Sequence, residues 1–264
     1  MNIQILSVFD LILAGLLVLA LGGVQLLLGL GLLRSLVWGS VRMVLQLLLV
    51  GLVLKSLFAV ANLGWITLMA SVMLLLAGYE VTARQKRPIK GWRGYGIGLA
   101  SMGVTAAIIT LFTLTVIIQP QPWYTPQYAI PLLGMILGNT MTGIGLALNH
   151  LTQTAWSSRN QIEARLLMGQ TARTATRELR ADALRAGLIP TLNMLAAAGL
   201  ISLPGMMTGQ ILAGAPPMEA VRYQILIMLL ITAATGFGSM LAVHLGSVRL
   251  FDARDRLRLD RLGS

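Results

Sequence analysis

Long apolar stretches separated by short polar connections recur along almost the whole chain. Seven of them are long enough for a helix that crosses a bilayer, which needs about 20 residues. The predicted spans cover residues 6–33, 36–57, 62–81, 95–118, 128–149, 188–213 and 221–247. Lipid cannot satisfy free backbone groups, and the strands of a membrane barrel would show short alternating segments instead. The pattern predicts an all-α polytopic membrane protein in which residues 1–264 form a single transmembrane domain.

The composition excludes several other classes of protein. Hydrophobic residues make up 56% of the chain and charged residues 11%, against about 45–50% and about 25% in soluble proteins. The absence of cysteine excludes disulfides and thiolate metal sites. A net charge of +11 would suit a nucleic-acid partner if the basic residues formed one stripe, but they are divided between the apolar stretches. We therefore predict the lipid bilayer, and no nucleic acid, as a partner.

The positions of lysine and arginine predict the orientation. Eighteen of the 20 basic residues fall on one side of the seven-span topology, and most of them lie in three segments, residues 84–93, 159–185 and 249–261. Connections rich in lysine and arginine face the cytoplasm. We expect a multi-pass protein of the inner (plasma) membrane, with its amino terminus outside and its carboxyl terminus in the cytoplasm.

The connection at residues 150–187 is the longest segment outside the predicted spans. Its sequence predicts two short helices hinged at Gly169, and Ile162, Leu166 and Leu167 give the first helix an apolar face. Such a helix can rest on lipid headgroups. It can equally serve as a docking surface for a soluble subunit.

The predicted span 188–213 contains Pro204 and Gly205 near its middle, followed by Met206 and Met207. Proline removes a helical hydrogen bond and clashes with the preceding turn, so the helix should kink or break there. In transporters, broken helices often expose backbone groups to the substrate path. A kink that only shapes the packing explains the pattern as well.

Polar residues inside the spans are few. Arg42 and Gln46 lie four residues apart in the second span, where Arg42 can either extend toward the headgroups or line a polar interface. Asn139 and Asn193 can form hydrogen bonds between helices or face a pathway. Two GxxxG pairs, Gly134 with Gly138 and Gly205 with Gly209, predict close helix contacts.

No catalytic motif is present. The chain has no GxxxxGK[ST], HExxH or GxSxG pattern, so it has no P-loop for ATP and no predicted catalytic residue or cofactor. With two histidines and no cysteine, the identity of any metal ligand stays unknown.

Three stretches carry a resemblance to a known family. These are WGSVRMVLQLLLVGLVLKSLF, IPLLGMILGNTMTGIGLALNHL and the long segment from GLIPTLNMLAAAGL through SLPGMMTG to AVRYQILI. They resemble the FetB family of ABC-transporter permeases, which is related to the plant aluminium-tolerance membrane subunits. The resemblance covers the chain from about Trp38 to Met228.

This resemblance implies a homodimeric permease that exports iron with a separate P-loop ATPase, present in two copies and binding ATP and Mg²⁺. Residues 158–186 would be the element that couples the two subunits. Glu163, Ala164 and Gly169 are spaced like the opening of the EAA docking motif, although Arg165 replaces its second alanine. Arg173 and Arg177 complete the expected docking set.

Two other functions remain open. A secondary transporter would need no ATPase, but it should carry ionisable residues at the middle of the membrane. A membrane scaffold would need neither a helix break nor a pathway. Binding of an ATPase distinguishes the permease from both.

Overall fold

The computed structural model describes residues 7–59 and 62–263, and within them the chain forms α-helices and isolated bridges but no strand. The helices are α1 (Val8–Leu27), α2 (Leu33–Ala59), α3 (Leu63–Ala83), α4 (Trp92–Phe112), α5 (Pro126–Ser157), α6 (Arg159–Leu167), α7 (Ala172–Ala175), α8 (Arg177–Ala197), α9 (Gly205–Leu212) and α10 (Pro217–Arg249). A π-helical segment, Thr113–Ile118, continues α4. The all-α prediction is confirmed.

Within the part of the chain that the structure describes, six helical segments are long and apolar enough to cross a membrane. They are Phe9–Leu27, Leu33–Phe58, Leu63–Ala83, Trp92–Ile118, Pro126–Ser157 and Pro217–Arg249. Each corresponds to a predicted span. The predicted start of the first span at residue 6, and residues 60 and 61 of the second connection, lie outside the described residues.

The chain divides into two compact units. The first, which we name the N-terminal pair, falls within Met1–Ala61 and adds Leu212–Gly214. The second, the main bundle, comprises Asn62–Ile211 and Ala215–Ser264. The single transmembrane domain over residues 1–264 stays a prediction.

The N-terminal pair consists mainly of α1 and α2. Ser7 caps α1 through a reciprocal capping box with Asp10, in which each side chain accepts a backbone N–H of the other residue. Almost every described side chain of the two helices is exposed, and most of them are apolar. Such a surface is typical of helices that face hydrocarbon or another apolar surface.

The main bundle packs α3, α4, α5, α8 and α10 around one apolar core. Its fully buried side chains include Met102 of α4 and Ile136, Ile144 and Leu151 of α5. At 1.5 Å per residue, the 32-residue α5 and the 33-residue α10 are each about 50 Å long. Because the hydrocarbon layer is about 30 Å thick, both helices extend beyond it.

The closest contacts between helices lie at glycines outside the predicted GxxxG pairs. A Cβ atom on Gly187 of α8 would lie 2.7 Å from the carbonyl oxygen of Gly143 and 2.8 Å from the Cβ of Ala147 on α5. Gly143 also faces Ser239 of α10. At Gly134 of the GxxxG pairs an added Cβ would lie 3.2 Å from Met73, and at Gly138, Gly205 and Gly209 it would meet nothing within 4 Å among the described residues. The backbones of α5 and α8 therefore approach each other at Gly143 and Gly187.

The predicted span 188–213 is divided in the structure. Helix α8 begins at Arg177 and ends at Ala197, residues 198–204 are not helical, and α9 begins at Gly205. The sequence placed the break at Pro204, but it begins at Ala198, where the backbone is extended, and Gly199 follows with a φ of +82°. Pro204 instead precedes the first turn of α9 and accepts the N–H of Thr208. A residue without an N–H is well tolerated at a helix start because the first N–H groups have no helical partner.

Candidate partner-docking face

Residues 159–180 form a helical hairpin between α5 and α8. Helix α6 ends in a Schellman motif, in which Gln170 N–H donates to the Arg165 carbonyl and Gly169 N–H donates to the Leu166 carbonyl. Gly169 has a φ of +84°, a left-handed conformation that favours glycine. Thr171 then caps α7 by accepting the N–H of Thr174. The predicted hinge at Gly169 is thus a defined chain reversal.

Arg165 closes this hairpin. Its guanidinium forms an ion pair of 2.7 Å with Glu178 at the start of α8 and donates to the carbonyl of Ala175 at 3.2 Å. This is the position at which the chain departs from the EAA pattern. The arginine therefore has a structural use here, because it holds α6 against the beginning of α8.

The hairpin is anchored at one end and exposed at the other. Ile162, Ala175 and Leu179 are buried against the rest of the bundle. At the tip, Leu167 is 88% exposed and Met168 is 72% exposed. Two adjacent apolar side chains presented outside the membrane-spanning helices are typical of a contact surface for another protein.

The hairpin also carries exposed charged side chains. Arg173 and Arg177, both exposed, form no ion pair within residues 7–59 and 62–263, and the same holds for the exposed Glu163. Ala164 is exposed beside them. Unpaired guanidinium groups in the hairpin that presents this apolar tip are suited to an acidic partner surface.

The carboxyl-terminal residues 250–263 form a folded tail at the same end of the bundle. Asp252 accepts the backbone N–H groups of Arg254 and Arg256 and pairs with the Arg256 guanidinium at 2.8 Å. The Arg261 guanidinium donates to the carbonyls of Arg249 and Phe251, which terminates α10 with a positive group. Leu250, Phe251 and Leu262 are buried.

Hydrogen bonding also sets the ionisation of the tail. The backbone N–H of Arg256, assisted by that of Arg254 and by the Arg256 guanidinium, lowers the pKa of Asp252 to about 2. The Arg258 guanidinium, which binds both carboxylate oxygens of Asp260, lowers the pKa of that residue to about 2. Both carboxylates are ionised throughout the physiological pH range.

The tail joins the other two basic segments. Lys90 N–H donates to the carbonyl of Arg261 at 2.7 Å, and Ala172 N–H donates to the Asp255 carboxylate at 3.2 Å. The loop around Lys90 is in turn fixed to α5, because Arg87 stacks 4.0 Å over the Trp156 ring. The three basic segments that the sequence assigned to one side therefore meet at one face, which we name the basic face.

Among the described residues of the main bundle, no hydrogen bond joins one candidate pathway residue to another. Asn139 donates to the carbonyl of Met135 in its own helix, and Asn193 is exposed on α8. Pro204, Met206 and Met207 are half-buried, and Gly205 is exposed at the start of α9. Arg42 is half-buried and Gln46 is exposed, and both lie on α2 of the N-terminal pair. Their role in a pathway stays a prediction.

The comparison with protein families identifies the chain. A family model described as "Uncharacterised protein family (UPF0014)" matches residues 8–251. This range includes the six candidate membrane-spanning helices and the whole hairpin. The chain belongs to the UPF0014 family. No solved structure matches it.

Several UPF0014 relatives align over most of their length. A UPF0014 membrane protein of Synechocystis is 43% identical over 203 residues, covering 77% of this chain and 78% of that protein. The probable iron export permease protein FetB of Escherichia coli is 32% identical over 230 residues, or 87% and 86% of the two chains. The Protein ALUMINUM SENSITIVE 3 of Arabidopsis thaliana is 36% identical over 211 residues, or 80% and 75%. The predicted resemblance is confirmed, and the relatives' names indicate a membrane permease.

Substitutions at Gly169 should test the chain reversal of this UPF0014 hairpin. An added Cβ would meet nothing within 4 Å, so any cost arises from the left-handed backbone alone. We expect Gly169→Ala to destabilise the hairpin by about 1–2 kcal/mol and Gly169→Asn by less, because asparagine tolerates this conformation. Faster trypsin cleavage after Arg173 would report the opening. Equal cleavage of all three proteins would contradict the assignment.

Asp252→Asn should release the tail at neutral pH. In the wild type the folded pKa of about 2 lies below the value of about 3.9 for an unfolded aspartate. Its stabilising effect is therefore complete above about pH 4 and is lost as the pH falls toward 2. A spin label at Ala253→Cys, in a chain without native cysteines, should be immobile from pH 8 to 5 and mobile near pH 2.

In the Asp252→Asn variant the same label should already be mobile at pH 7. Asp182→Asn is the matched control, because Asp182 also pairs with an arginine, Arg185, but lies on α8 outside the tail. A label that stays immobile in Asp252→Asn would show that this carboxylate does not hold the tail.

The sequence reasoning missed three features of the basic face. These are the contacts of Arg165 with Glu178 and Ala175, the exposed Leu167–Met168 tip, and the folded tail that contacts the other two basic segments. Alternating charges in DARDRLRLDR at 252–261 are a signal that could have indicated the tail, because they place acids two to four residues from arginines. The direction in which Leu167 points has no comparable signal in the sequence.

Proposed function

We propose that this chain is the permease subunit of an ABC transporter and docks a separate P-loop ATPase on its basic face. The observation that carries the proposal is the anchored hairpin with an exposed Leu167–Met168 tip beside the unpaired Arg173 and Arg177. The chain contains no P-loop of its own, so ATP and Mg²⁺ would bind the partner. The basic face would lie in the cytoplasm, with the amino terminus on the other side of the inner membrane.

Helix α8 supports a mechanism of coupling. It is a single helix from Arg177 in the hairpin to the break after Ala197, with Pro190 inside it, and it packs closely against α5 at Gly187. A displacement of the hairpin by the ATPase would therefore reach residues 198–204 through one continuous helix. Two permease copies, each on one ATPase subunit, would alternate access along a path near Asn193, Pro204 and the methionines of α9.

Iron, or another metal or metal complex, is the proposed cargo, and the direction is export. The support is the name of the Escherichia coli relative, a probable iron export permease. Within the described residues no group of three His, Cys, Asp or Glu side chains could hold a metal ion. We therefore propose transient passage of the cargo and assign no resident metal site.

Transport into inside-out vesicles tests the function. The chain is co-expressed with a candidate ABC ATPase, and ATP-dependent uptake of radioactive iron is measured with the cytoplasmic face outward. We expect uptake only when both subunits and ATP are present, and none when the P-loop lysine of the ATPase is replaced. Uptake that needs no ATPase would indicate a secondary transporter, and an ATPase that neither binds nor is stimulated would refute the permease proposal.

A further inference from the structure

An elongated apolar slot lies in the main bundle between α3, α4 and α5. Its volume is about 310 Å³, near the lower end of the range for small-molecule sites. Leu74, Gly103 and Leu137 line one end, and Leu63, Leu114 and Trp123 line the other. Eleven residues of α4 and its π-helical continuation separate Gly103 from Leu114, or about 16 Å at helical rise. This length is close to half of a hydrocarbon layer about 30 Å thick.

The slot is open along one side. Thr67, Ala107 and Leu111 line it and are exposed, whereas Ile66 and Ile130 form a buried floor. Trp123 and Tyr124 lie at its outer end with their rings 5.7 Å apart in an edge-to-face arrangement. Tryptophan and tyrosine are enriched at the level of the lipid headgroups. The slot thus extends from the interface toward the middle of the membrane and is accessible from the lipid side.

One buried polar atom that lines the slot has no hydrogen-bond partner among the described residues. Thr110 is 7% exposed, and its hydroxyl forms no hydrogen bond with any described residue. Three other threonines of the same stretch, Thr105, Thr113 and Thr115, donate to the carbonyl four residues earlier in the chain. A buried hydroxyl without a partner costs free energy unless a ligand or water satisfies it.

The backbone beside Thr110 is also unusual. The π-helical segment Thr113–Ile118 begins three residues later and contributes Leu114 to the slot. π-helices are rare, and they occur frequently at functional sites. The segment widens the helix at the end where the slot reaches the aromatic pair.

We propose that the slot binds one acyl chain of a membrane phospholipid, with the ester carbonyl accepting a hydrogen bond from Thr110. Thr110 lies four residues, about 6 Å, from Leu114 at the outer end. The remaining seven residues to Gly103 leave about 10 Å for hydrocarbon. An ester group near the aromatic pair, with its chain directed to the midplane, matches the order of groups in a bilayer lipid. The proposal does not depend on the transport function.

Photocrosslinking in vesicles tests the depth of the bound chain. The full protein is reconstituted with traces of phosphatidylcholine whose labelled acyl chain is short enough to end within about 10 Å of its ester. The diazirine lies either at the terminus of that acyl chain or beside the ester, and the adducts are mapped by mass spectrometry. We expect the terminal probe to label peptides containing Leu74, Gly103 or Leu137, and the ester-proximal probe to label the peptide containing Trp123. Adducts spread over all exposed helices in proportion to their exposure would overturn the proposal.

Two alanines of α4 provide a matched pair of variants. Ala107→Phe fills the slot, whereas Ala100→Phe adds the same ring at another exposed position of the helix that does not line it. We expect Ala107→Phe to reduce the slot adducts about tenfold, because the ring occupies the space of the chain. Ala100→Phe should leave them unchanged. Equal labelling of the two variants would exclude occupation of the slot, and so would absent slot labelling in the wild type, as when another protein segment covers it.

The hydroxyl has its own test. Phospholipids with an ether linkage lack the carbonyl acceptor, so the wild type should label with ester lipids several-fold more strongly than with matched ether lipids. In Thr110→Val, which keeps the shape and removes the donor, the preference should disappear while terminal-probe adducts remain. An ether lipid that labels the wild type as well as its ester analogue would refute the role of Thr110.

Discussion

Replacing both Leu167 and Met168 by aspartate is expected to separate the chain from the ATPase that we propose as its partner, without unfolding the chain. The two side chains are 88% and 72% exposed, so the bundle loses little packing when they become polar. In a docked complex they would be buried, and truncating a hot-spot side chain at the centre of an interface costs about 2 kcal/mol or more. We expect the affinity for the ATPase to fall by about 3–4 kcal/mol, or a factor of several hundred.

Co-purification and ATPase stimulation measure this effect. Asn160→Asp adds negative charge to an exposed position of the same helix and is the control for charge alone. Exchanging the tip residues, Leu167→Met with Met168→Leu, keeps the apolar surface and should retain binding. A complex that survives the double aspartate substitution with wild-type affinity would refute docking through the hairpin tip.

Gly187→Ala is expected to destabilise the bundle, although alanine is the better helix former. The added Cβ would lie 2.7 Å from a backbone oxygen, that of Gly143, which cannot rotate away as a side chain could. Overpacking of this kind costs about 1–3 kcal/mol, whereas the gain in helix propensity is about 1 kcal/mol. Because the added Cβ forces the two helices apart, we expect the cost of overpacking to exceed the gain. Gly187→Val should be worse, because it adds two further methyl groups to the same contact.

Gly138→Ala on α5 is the matched control. Nothing lies within 4 Å of a Cβ at this position, so only the propensity gain of about 1 kcal/mol should appear. Thermal unfolding in detergent micelles should therefore shift downward for Gly187→Ala and slightly upward for Gly138→Ala. Shifts of the same sign would show that the two helix backbones do not meet at Gly187.

Local sequence predicted the break near Pro204 but not the residue at which it begins. Proline and glycine in an apolar span correctly indicate that no straight helix fills residues 188–213. The position of the break depends on where α8 ends. There the N–H groups of Ile201 and Ser202 donate to the Ala197 carbonyl, and the Gly199 N–H donates to the Ser202 carbonyl. A proline can begin a helix as well as interrupt one, so its presence alone does not distinguish these cases.

The sequence by itself determined the helical class, the apolar spans and the grouping of basic segments, because each follows from the local density of apolar and charged residues. Only the tertiary structure decided which glycines touch, where the tail docks and which side of the hairpin presents Leu167. A helix that is apolar on all sides has no polar stripe from which its rotation about its own axis could be predicted. Contacts such as Gly143 with Gly187 therefore depend on how several helices pack together, which no single stretch of sequence specifies.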